Sequence, residues 1–215
     1  MSKTILLSLI LTLAIFIPLP SHAADPIELF NGKNLSGWNG DEKWFRVEDG
    51  AIVAGSLKEK IPHNYFLATD KKYHDFELTC KVKTLSNPPG SKINGGIQIR
   101  SVRVPNDTEM IGFQADIGTG VWGALYDESR RRKFLSDKPA VERLEQLIKK
   151  ADWNDYRIVC KDNHIQIFVN GEKLTDYKEK DEDIAVSQGH IALQVHKAPH
   201  PIEIHYKDLV LTPLK

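Results

Sequence analysis

The sequence predicts an all-β protein, a β-sandwich of the jelly-roll kind with one short helix. Short runs in which apolar and polar residues alternate recur along nearly the whole chain, and this spacing is typical of half-buried strands. Two dipeptides, Asp49-Gly50 and Asn170-Gly171, each separate a pair of such runs, and both favour the two-residue turns of β-hairpins. Many short strands joined by tight turns indicate a sandwich.

The first 23 residues have the pattern of a secretory signal peptide. One charge, Lys3, precedes the mostly apolar residues 5–17, and the segment ends in Ser-His-Ala at position 23. Small residues at the first and third positions before a cut are typical of signal cleavage, and this apolar run is too short to span a bilayer. We therefore expect an exported protein, periplasmic or secreted, in which residues 24–215 form a single domain.

The strands and the helix follow in order after this segment. Residues 76–84, FELTCKVKT, alternate apolar and polar side chains and predict a strand with one wet face. The helix is predicted from Pro139 to Lys150, because proline favours a first helical turn and four apolar residues share one stripe. The remaining β-type runs are IQIRS, MIGFQADI, YRIVC, HIQIFV, HIALQVH and IEIHYKDLVL.

Composition restricts the partners of the protein. Lys plus Arg and Asp plus Glu number 29 each, so the chain lacks the basic surface that binds nucleic acid or anionic lipid. No segment after the signal peptide is apolar enough to cross a bilayer. We therefore expect neither nucleic-acid binding nor stable membrane insertion once the signal peptide has been cleaved.

Two cysteines, Cys80 and Cys160, lie in separate predicted strands. Export to an oxidising space makes a disulfide possible, and two buried free thiols explain the sequence equally well. Because one pair of cysteines is not a disulfide scaffold, we favour free thiols.

Strand parity gives three runs an unusual polar face. In the runs IQIRS, MIGFQADI and HIALQVH, every second residue is apolar and is expected to face the core. The residues between them therefore face outward. A solvated face usually carries Lys, Glu and Thr, whereas glutamine, acid, arginine and histidine among glycines suit the floor of a polar cleft. The outward residues are Gln98, Arg100, Gln114, Asp116, Gln194 and His196.

The order of these runs resembles the 3-keto-disaccharide hydrolase domain family. The resemblance spans residues 27–214 and is carried by ELFNGKNLSGW, WFRVEDGAIV, DFELTCKVK, NGGIQIRS, GFQADIGTGVWGALYDESRRR, WNDYRIVCKDNHIQIFVNGEKLTDY and GHIALQVHK. It implies a concanavalin-like, laminin-G-like sandwich. It also implies a hydrolase that acts on small carbohydrates, namely glycosides whose sugar has been oxidised to a ketone at C3.

That chemistry suggests roles for the outward residues. A ketone at C3 makes the C2 proton acidic, so a base can remove it, the C1 aglycone can leave by elimination, and water can then add. His196 suits a base or an acid because histidine changes charge near neutral pH, and Asp116 is its partner acid or base. Arg100 is the candidate donor to the developing enolate oxygen. Three glutamines would hold sugar hydroxyls: Gln98, Gln114 and Gln194.

The segment 119–132, TGVWGALYDESRRR, is expected to form a loop at the rim of the cleft. Trp122 and Tyr126 suit either stacking on a sugar ring or pinning the loop to the sandwich. Asp127 and Glu128 are the further acidic candidates for substrate binding, and the three arginines that follow are expected to brace the loop or to be solvated.

The chain departs from the family at one point. Many members have Glu where this chain has Gln114 and Gln where it has Asp116, so the carboxylate is displaced by two residues on the same strand face. The strand also lacks the Glu-x-Asp-x-x-Glu pattern of retaining glycosidases with a sandwich fold, which need two closely spaced carboxyl groups. Ordinary double displacement is therefore the weaker enzymatic interpretation.

A divalent cation held by Asp116 and His196 is the one candidate cofactor, since it would polarise the ketone, and the residues leave open whether a metal is required. A zinc site built from His196, His200 and His205 is disfavoured, because they lie in different strands and a turn. The rival to an enzyme is a noncatalytic carbohydrate-binding or surface-interaction module, since the same sandwich supports both.

Overall fold

The structure, a computed structural model, describes residues 25–182, 184 and 188–215; the expected signal peptide, residues 1–23, lies outside this part. The described residues form fourteen strands and one α-helix, α1, Val141–Leu147. The strands are β1 Ile27–Glu28, β2 Trp38–Asn39, β3 Phe45–Glu48, β4 Ala51–Ser56, β5 Tyr65–Thr69, β6 Phe76–Ser86, β7 Asn94–Arg103, β8 Met110–Gly118, β9 Leu125–Glu128, β10 Asn154–Lys161, β11 His164–Val169, β12 Glu172–Lys178, β13 His190–Val195 and β14 Ile202–Pro213.

These strands form two antiparallel sheets. The first has the order β12-β11-β10-β6-β14-β4-β3, with β1 paired to β14, and the second has the order β2-β5-β13-β7-β8-β9. Strands that are neighbours in a sheet are often distant in the sequence, as in the pairs β6–β14 and β13–β7. The predicted all-β jelly-roll sandwich is confirmed.

The core lies between the two sheets. Ile97, Ile99, Ile117 and Leu193 of the second sheet are fully buried in one continuous apolar cluster with side chains of the first sheet. Each such side chain contributes roughly 1.5–3 kcal/mol through burial. Ile111 was predicted to share this face, but 36% of it is exposed.

Both predicted hairpin turns are present. Asp49 and Gly50 have φ values of 48° and 71°, and Asn170 and Gly171 have values of 49° and 85°. Positive φ at both central residues defines the type I′ turn that matches the twist of a hairpin.

The helix is shorter than predicted. Residues 139–150 carry the apolar stripe, but α1 spans only Val141–Leu147, and Ile148 has the extended angles φ −86° and ψ 124°. Leu144 is its one buried residue. A short helix depends on packing for its stability, so one anchoring side chain holds about two turns. No helix of the described ranges has the length and hydropathy of a membrane-spanning segment.

Cys80 and Cys160 are both free and buried. They lie on the adjacent strands β6 and β10, where Cys80 pairs with Tyr156. Tyr156 and Cys160 are four residues apart, about 13 Å along a strand, which is too far for a disulfide. The expectation of free thiols is therefore confirmed. Burial raises the pKa of the Cys160 thiol to about 12.

Candidate functional site

The outer face of the second sheet carries an open cleft of about 550 Å³. It is formed by β8, β9, the loops that follow them and the segment after β13. The cleft is lined by five residues that were predicted from strand parity or from the loop sequence: Gln114, Asp116, Tyr126, Glu128 and His196. The polar face predicted from the sequence therefore does form a cleft.

Strand register explains why these side chains meet. Gln114 pairs with Gln98 on one side and with Tyr126 on the other, whereas Asp116 lies opposite Gly96. Glycine is required at position 96 because an added β-carbon would lie 2.6 Å from Cγ of Gln114. The Gln114 side chain thus lies close to the backbone of β7.

A chain of buried hydrogen bonds ends on Asp116. The Ser101 hydroxyl donates to Oε1 of Gln98 at 2.6 Å, Nε2 of Gln98 donates to Oε1 of Gln114 at 2.8 Å, and Nε2 of Gln114 donates to Oδ1 of Asp116 at 2.8 Å. Each amide accepts from one side and donates to the other, so its orientation is fixed. The chain holds one oxygen of Asp116 in place.

Asp116 is an acid whose proton is retained at neutral pH. Only 3% of the residue is exposed, and burial raises the pKa of its carboxyl to about 8. The hydrogen bond from Gln114 opposes this shift, the negative charge of Glu128 adds to it, and Lys138 weakly opposes it. A carboxyl that is protonated near pH 7 can donate a proton to a leaving group.

Glu128 is the second carboxyl of the cleft. Burial and then the charge of Glu109 raise its pKa to about 6, and a hydrogen bond from Gln194 opposes the shift. Nε2 of Gln194 lies 3.2 Å from Oε2 of Glu128. Glu128 is therefore ionised at neutral pH, while Asp116 is not.

His196 lies at the edge of the cleft with a defined tautomer. Its Nδ1 lies 2.8 Å from the carbonyl oxygen of Lys197. Because a carbonyl can only accept, Nδ1 carries the proton and Nε2 holds the lone pair in the neutral ring. The ring can thus accept a proton at Nε2 without changing its tether.

Gln98 and Gln194 lie beneath the cleft surface, where they cannot contact a sugar. This contradicts the prediction that they hold sugar hydroxyls. Both are fully buried, and neither is part of the lining. Gln98 supports Gln114, and Gln194 supports Glu128. Of the three predicted glutamines, only Gln114 reaches the cleft.

Arg100 lies outside the cleft, so its prediction as an electrophile is wrong. The register of β7 shifts between Ile99 and Val102, and Arg100 has φ 49°. This bulge breaks the parity that would have placed Arg100 beside Gln98. Its guanidinium donates to the carbonyl of His74 at 3.0 Å and to the carboxylate of Asp75 at 2.5 Å.

Trp122 and Asp127 are also structural, which corrects their prediction as substrate-binding residues. Trp122 is 5% exposed, and its ring centroid lies 6.2 Å from that of Tyr156 in the core. Asp127 is fully buried and forms ion pairs with Arg130 and Arg131. These arginines brace the loop, which is one of the two roles expected for them.

Tyr126 lines the cleft and also packs against Phe134 in the following loop, which agrees with its expected role as a pin, while stacking on a sugar ring stays a prediction. Its ring contacts Phe134 edge to face with centroids 5.1 Å apart, and both residues line the cleft. The ammonium of Lys138 lies 4.2 Å from the Phe134 ring centre. This wall offers an apolar surface with one positive charge beside it.

Several lining residues were missed by the sequence argument. They come from loops, where strand parity gives no information: Lys92, Phe134, Lys197 and His200, the last of which was weighed only as a zinc ligand. Thr119 and Val121 also line the cleft, and they belong to segment 119–132, which was expected at its rim. His200 is held by a 2.6 Å contact between its Nε2 and the carbonyl of Lys92, while His205 lies in β14 beside Glu203. The three histidines of the disfavoured zinc site are thus engaged separately.

The residues do not fit a resident cation. Asp116 and His196 share the cleft, yet within the described ranges no group of three or more His, Cys, Asp or Glu side chains is placed to hold a metal ion.

The sequence matches a family model over almost all of the described chain. The family is described as the 3-keto-alpha-glucoside-1,2-lyase-like domain, and the match spans residues 25–212. This confirms the resemblance found in the sequence. No curated protein matches the chain.

Solved structures with similar folds come from several kinds of carbohydrate protein. A candidate glycosyl hydrolase of Parabacteroides distasonis ATCC 8503 has a TM-score of 0.62 and 20% identity, covering 88% of this chain and 94% of that one. Carbohydrate-binding module CBM66 of Bacillus subtilis has a TM-score of 0.58 and 11% identity, covering 82% of this chain and 95% of that one. Bacillus licheniformis β-glucanase has a TM-score of 0.55 and 12% identity, covering 91% of this chain and 100% of that one. At these identities the likeness shows the fold.

Proposed function

Because the chain belongs to the 3-keto-alpha-glucoside-1,2-lyase-like domain family, we propose that it cleaves 3-keto-glycosides by elimination across C1 and C2 followed by hydration. The observation that supports this best is the pairing in one cleft of a buried Asp116, whose pKa is about 8, with His196. Asp116 can give a proton at neutral pH, and Nε2 of the neutral His196 ring has a lone pair that can take one.

The first step needs a base at C2. In the 3-keto sugar, Nε2 of His196 takes the C2 proton, and the electrons form an enolate across C2, C3 and the C3 oxygen. The tether of Nδ1 to Lys197 keeps the lone pair on Nε2. With Arg100 outside the cleft, the positive charges that remain to stabilise the enolate oxygen are Lys92 and Lys197, both of which line the cleft.

The second step needs an acid at the glycosidic oxygen. As the enolate collapses, a C1–C2 double bond forms and the C1–O bond breaks, and the leaving oxygen takes the proton of Asp116. The product is an unsaturated ketone. Water then adds to C1 and a proton returns to C2, which releases the free 3-keto sugar and resets both residues.

Binding of the sugar is assigned to the remaining lining residues. The wall formed by Tyr126 and Phe134 suits the apolar face of a pyranose ring. Gln114 and the ionised Glu128 suit its hydroxyl groups as hydrogen-bond partners. Their supports, Gln98 and Gln194, keep these polar groups oriented before substrate arrives.

Two rival functions are less well supported. A retaining glycosidase needs one protonated and one ionised carboxyl, which Asp116 and Glu128 also supply, but the family description names 3-keto glucosides and a lyase, which favours elimination. A binding module gains nothing from a buried carboxyl with a raised pKa, because burying such a group costs stability. Perturbed pKa values in a cleft are instead typical of catalytic groups.

The test is aglycone release from matched substrates. The mature protein is incubated with 3-keto-glycosides and with the same glycosides before oxidation. We expect release only from the 3-keto compounds, since only they have an acidic C2 proton. Equal rates on both would contradict elimination, and sugar binding without release from either would favour the module.

A further inference from the structure

Ser101 is a fully buried residue at the bulge of β7. The register of β7 against β8 shifts at this point, so Arg100 and Ser101 together lie opposite the single residue Gly112. A bulge of this kind shifts the alternation of side chains by one residue. Arg100 is turned away from the cleft, and Ser101 takes the position beside Gln98 on the outer face of the sheet.

Gly112 leaves the space that the Ser101 side chain occupies. A β-carbon added to Gly112 would lie 2.4 Å from Oγ of Ser101 and 2.9 Å from its Cα. Any other residue at position 112 would therefore displace the hydroxyl. The bulge and the glycine together place one hydroxyl at the end of the hydrogen-bond chain that leads to Asp116.

The Ser101 hydroxyl has a preferred acceptor. Among the described residues it lies 2.6 Å from Oε1 of Gln98, whereas the carbonyl oxygens of Ile99 and Phe113 lie at 3.1 and 3.4 Å. A hydroxyl has one hydrogen to donate, and the shortest of these contacts is the one with the normal length of an O–H···O bond. The hydrogen of Ser101 therefore points to Gln98.

Two amides transmit this direction to Asp116. Because Oε1 of Gln98 accepts from Ser101, Nε2 of Gln98 faces Oε1 of Gln114. Nε2 of Gln114 then faces Oδ1 of Asp116. A carboxyl oxygen that accepts from an amide does not carry the acid proton. If the amide of Gln114 were turned over, its Oε1 would take that proton in an internal hydrogen bond, and the acid would be lost to a substrate.

We propose that Ser101 is a positioning residue: it sets the direction of the chain and thereby places the acid proton of Asp116 on Oδ2, toward the cleft that Asp116 lines. The kinetic consequence rests on the proposed function, whereas the placement of the proton is a property of the free protein. In the elimination, Oδ2 gives its proton to the leaving oxygen, which keeps the electron pair of the C1–O bond. The carboxylate that remains still accepts from Gln114.

Infrared spectroscopy at about pH 7 tests this placement without substrate. At that pH Asp116 holds its proton and Glu128 is ionised. The difference between the spectra of the unaltered protein and Asp116→Asn isolates the C=O band of the Asp116 carboxyl. The same difference is then recorded in a Ser101→Ala background. This substitution leaves the charged groups that face the carboxyl unchanged, namely Glu128 of β9, Lys138 of the loop after it and His196 across the cleft.

We expect the C=O band to move to higher wavenumber in Ser101→Ala. Without the hydroxyl the chain can reverse, and the carbonyl oxygen of the Asp116 carboxyl then accepts no hydrogen bond from Gln114. The matched control is Thr69→Val, which removes a buried hydroxyl from β5 of the same sheet, outside the chain. Its band should stay in place. Gln98→Met interrupts the chain one residue further on with little change in volume, and it should shift the band as Ser101→Ala does.

Kinetics on a 3-keto-glycoside give the second measurement. We expect Ser101→Ala to lower kcat by roughly 3- to 10-fold, the effect of losing one hydrogen bond, with KM changed by less than about twofold. Gln98→Met should lose a similar factor, and the double variant should lose no more than either single one, because both act through one chain. Thr69→Val should keep kcat within about twofold.

An unmoved C=O band in Ser101→Ala would overturn the positioning role and leave the proposed function intact. Losses of kcat that multiply in the double variant would do the same, since they would mean that Ser101 and Gln98 act separately. If Ser101→Ala does not fold, the band of Gln98→Met decides. If the unaltered protein releases no aglycone, the proposed function fails, while the infrared band still determines where the proton lies.

Discussion

Gln194 on β13 and Glu128 on β9 are joined by a hydrogen bond of 3.2 Å, although two other strands, β7 and β8, lie between theirs. Three strand spacings amount to about 14 Å in a flat sheet. Two side chains can bridge that span only if the sheet curves and the strands between them leave space.

This contact predicts that Gln194 controls the charge of Glu128. Burial raises the pKa of Glu128 to about 6, and the amide of Gln194 opposes this shift more than the charge of Arg132 does. In Gln194→Leu that donor is lost, so the pKa of Glu128 should rise further. Carboxyl carbon shifts followed by NMR titration would measure it. A pKa that stays at about 6 would show that the hydrogen bond has no electrostatic effect.

Asp116→Asn should stabilise the protein in a pH-dependent manner. Burial raises the pKa of Asp116 from 3.8 to about 8, so between these values the folded state holds a proton that the unfolded chain releases. The free energy of unfolding of the unaltered protein therefore falls as pH rises across this window. Asparagine has no proton to lose and can still accept from Gln114. We expect the variant to be more stable by about 1–3 kcal/mol at pH 8 and equal near pH 4.

Urea unfolding at several pH values would measure this difference. Asp155→Asn is the control, and its stability should depend on pH in the opposite direction, because the ion pair with Lys81 lowers the pKa of Asp155. The stability that this pair contributes is present above the ordinary pKa and is lost as pH falls. A difference for Asp116→Asn that is constant with pH would mean that its carboxyl is not perturbed.

His196→Ala and Asp116→Asn should each lower kcat on a 3-keto-glycoside by roughly 10²–10⁴-fold, the usual range for a positioned base or acid. The double variant should lose much less than the product, because both groups act in one proton-transfer sequence. In the unaltered protein kcat should fall above about pH 8, where Asp116 loses its proton. Asp116→Asn should lack this limb. Near-normal kcat in His196→Ala would instead assign the base to Glu128.

Trp122 and Tyr126 should respond in opposite ways to truncation. Trp122 is buried against Tyr156, so Trp122→Ala should cost about 3–5 kcal/mol of stability without changing KM. Tyr126 lines the cleft, so Tyr126→Ala should weaken binding by about 1–2 kcal/mol. Thermal unfolding and steady-state kinetics together separate the two. A changed KM in folded Trp122→Ala would return that ring to the substrate site.

Much of the site was determined by the sequence because alternation is a local property. The spacing of apolar residues in β8 assigned Gln114 and Asp116 to the face away from the core, and the same rule assigned His196, directly after β13, to that face. The residues Asp49-Gly50 and Asn170-Gly171 specified their turns through the positive φ that they tolerate. None of these features depends on which strands become neighbours.

Tertiary structure decided what depends on distant partners. The bulge in β7 appears only once β7 pairs with β8, and it turns Arg100 toward Asp75 instead of the cleft. Packing of segment 119–132, which includes β9, buried Trp122 and Asp127, and sheet curvature brought Gln194 to Glu128. The raised pKa of Asp116 follows from its burial, which depends on the surrounding fold. Strand parity determines which way a side chain points wherever the strand is regular, whereas the neighbours that the folded chain brings to it determine its solvation and therefore its chemistry.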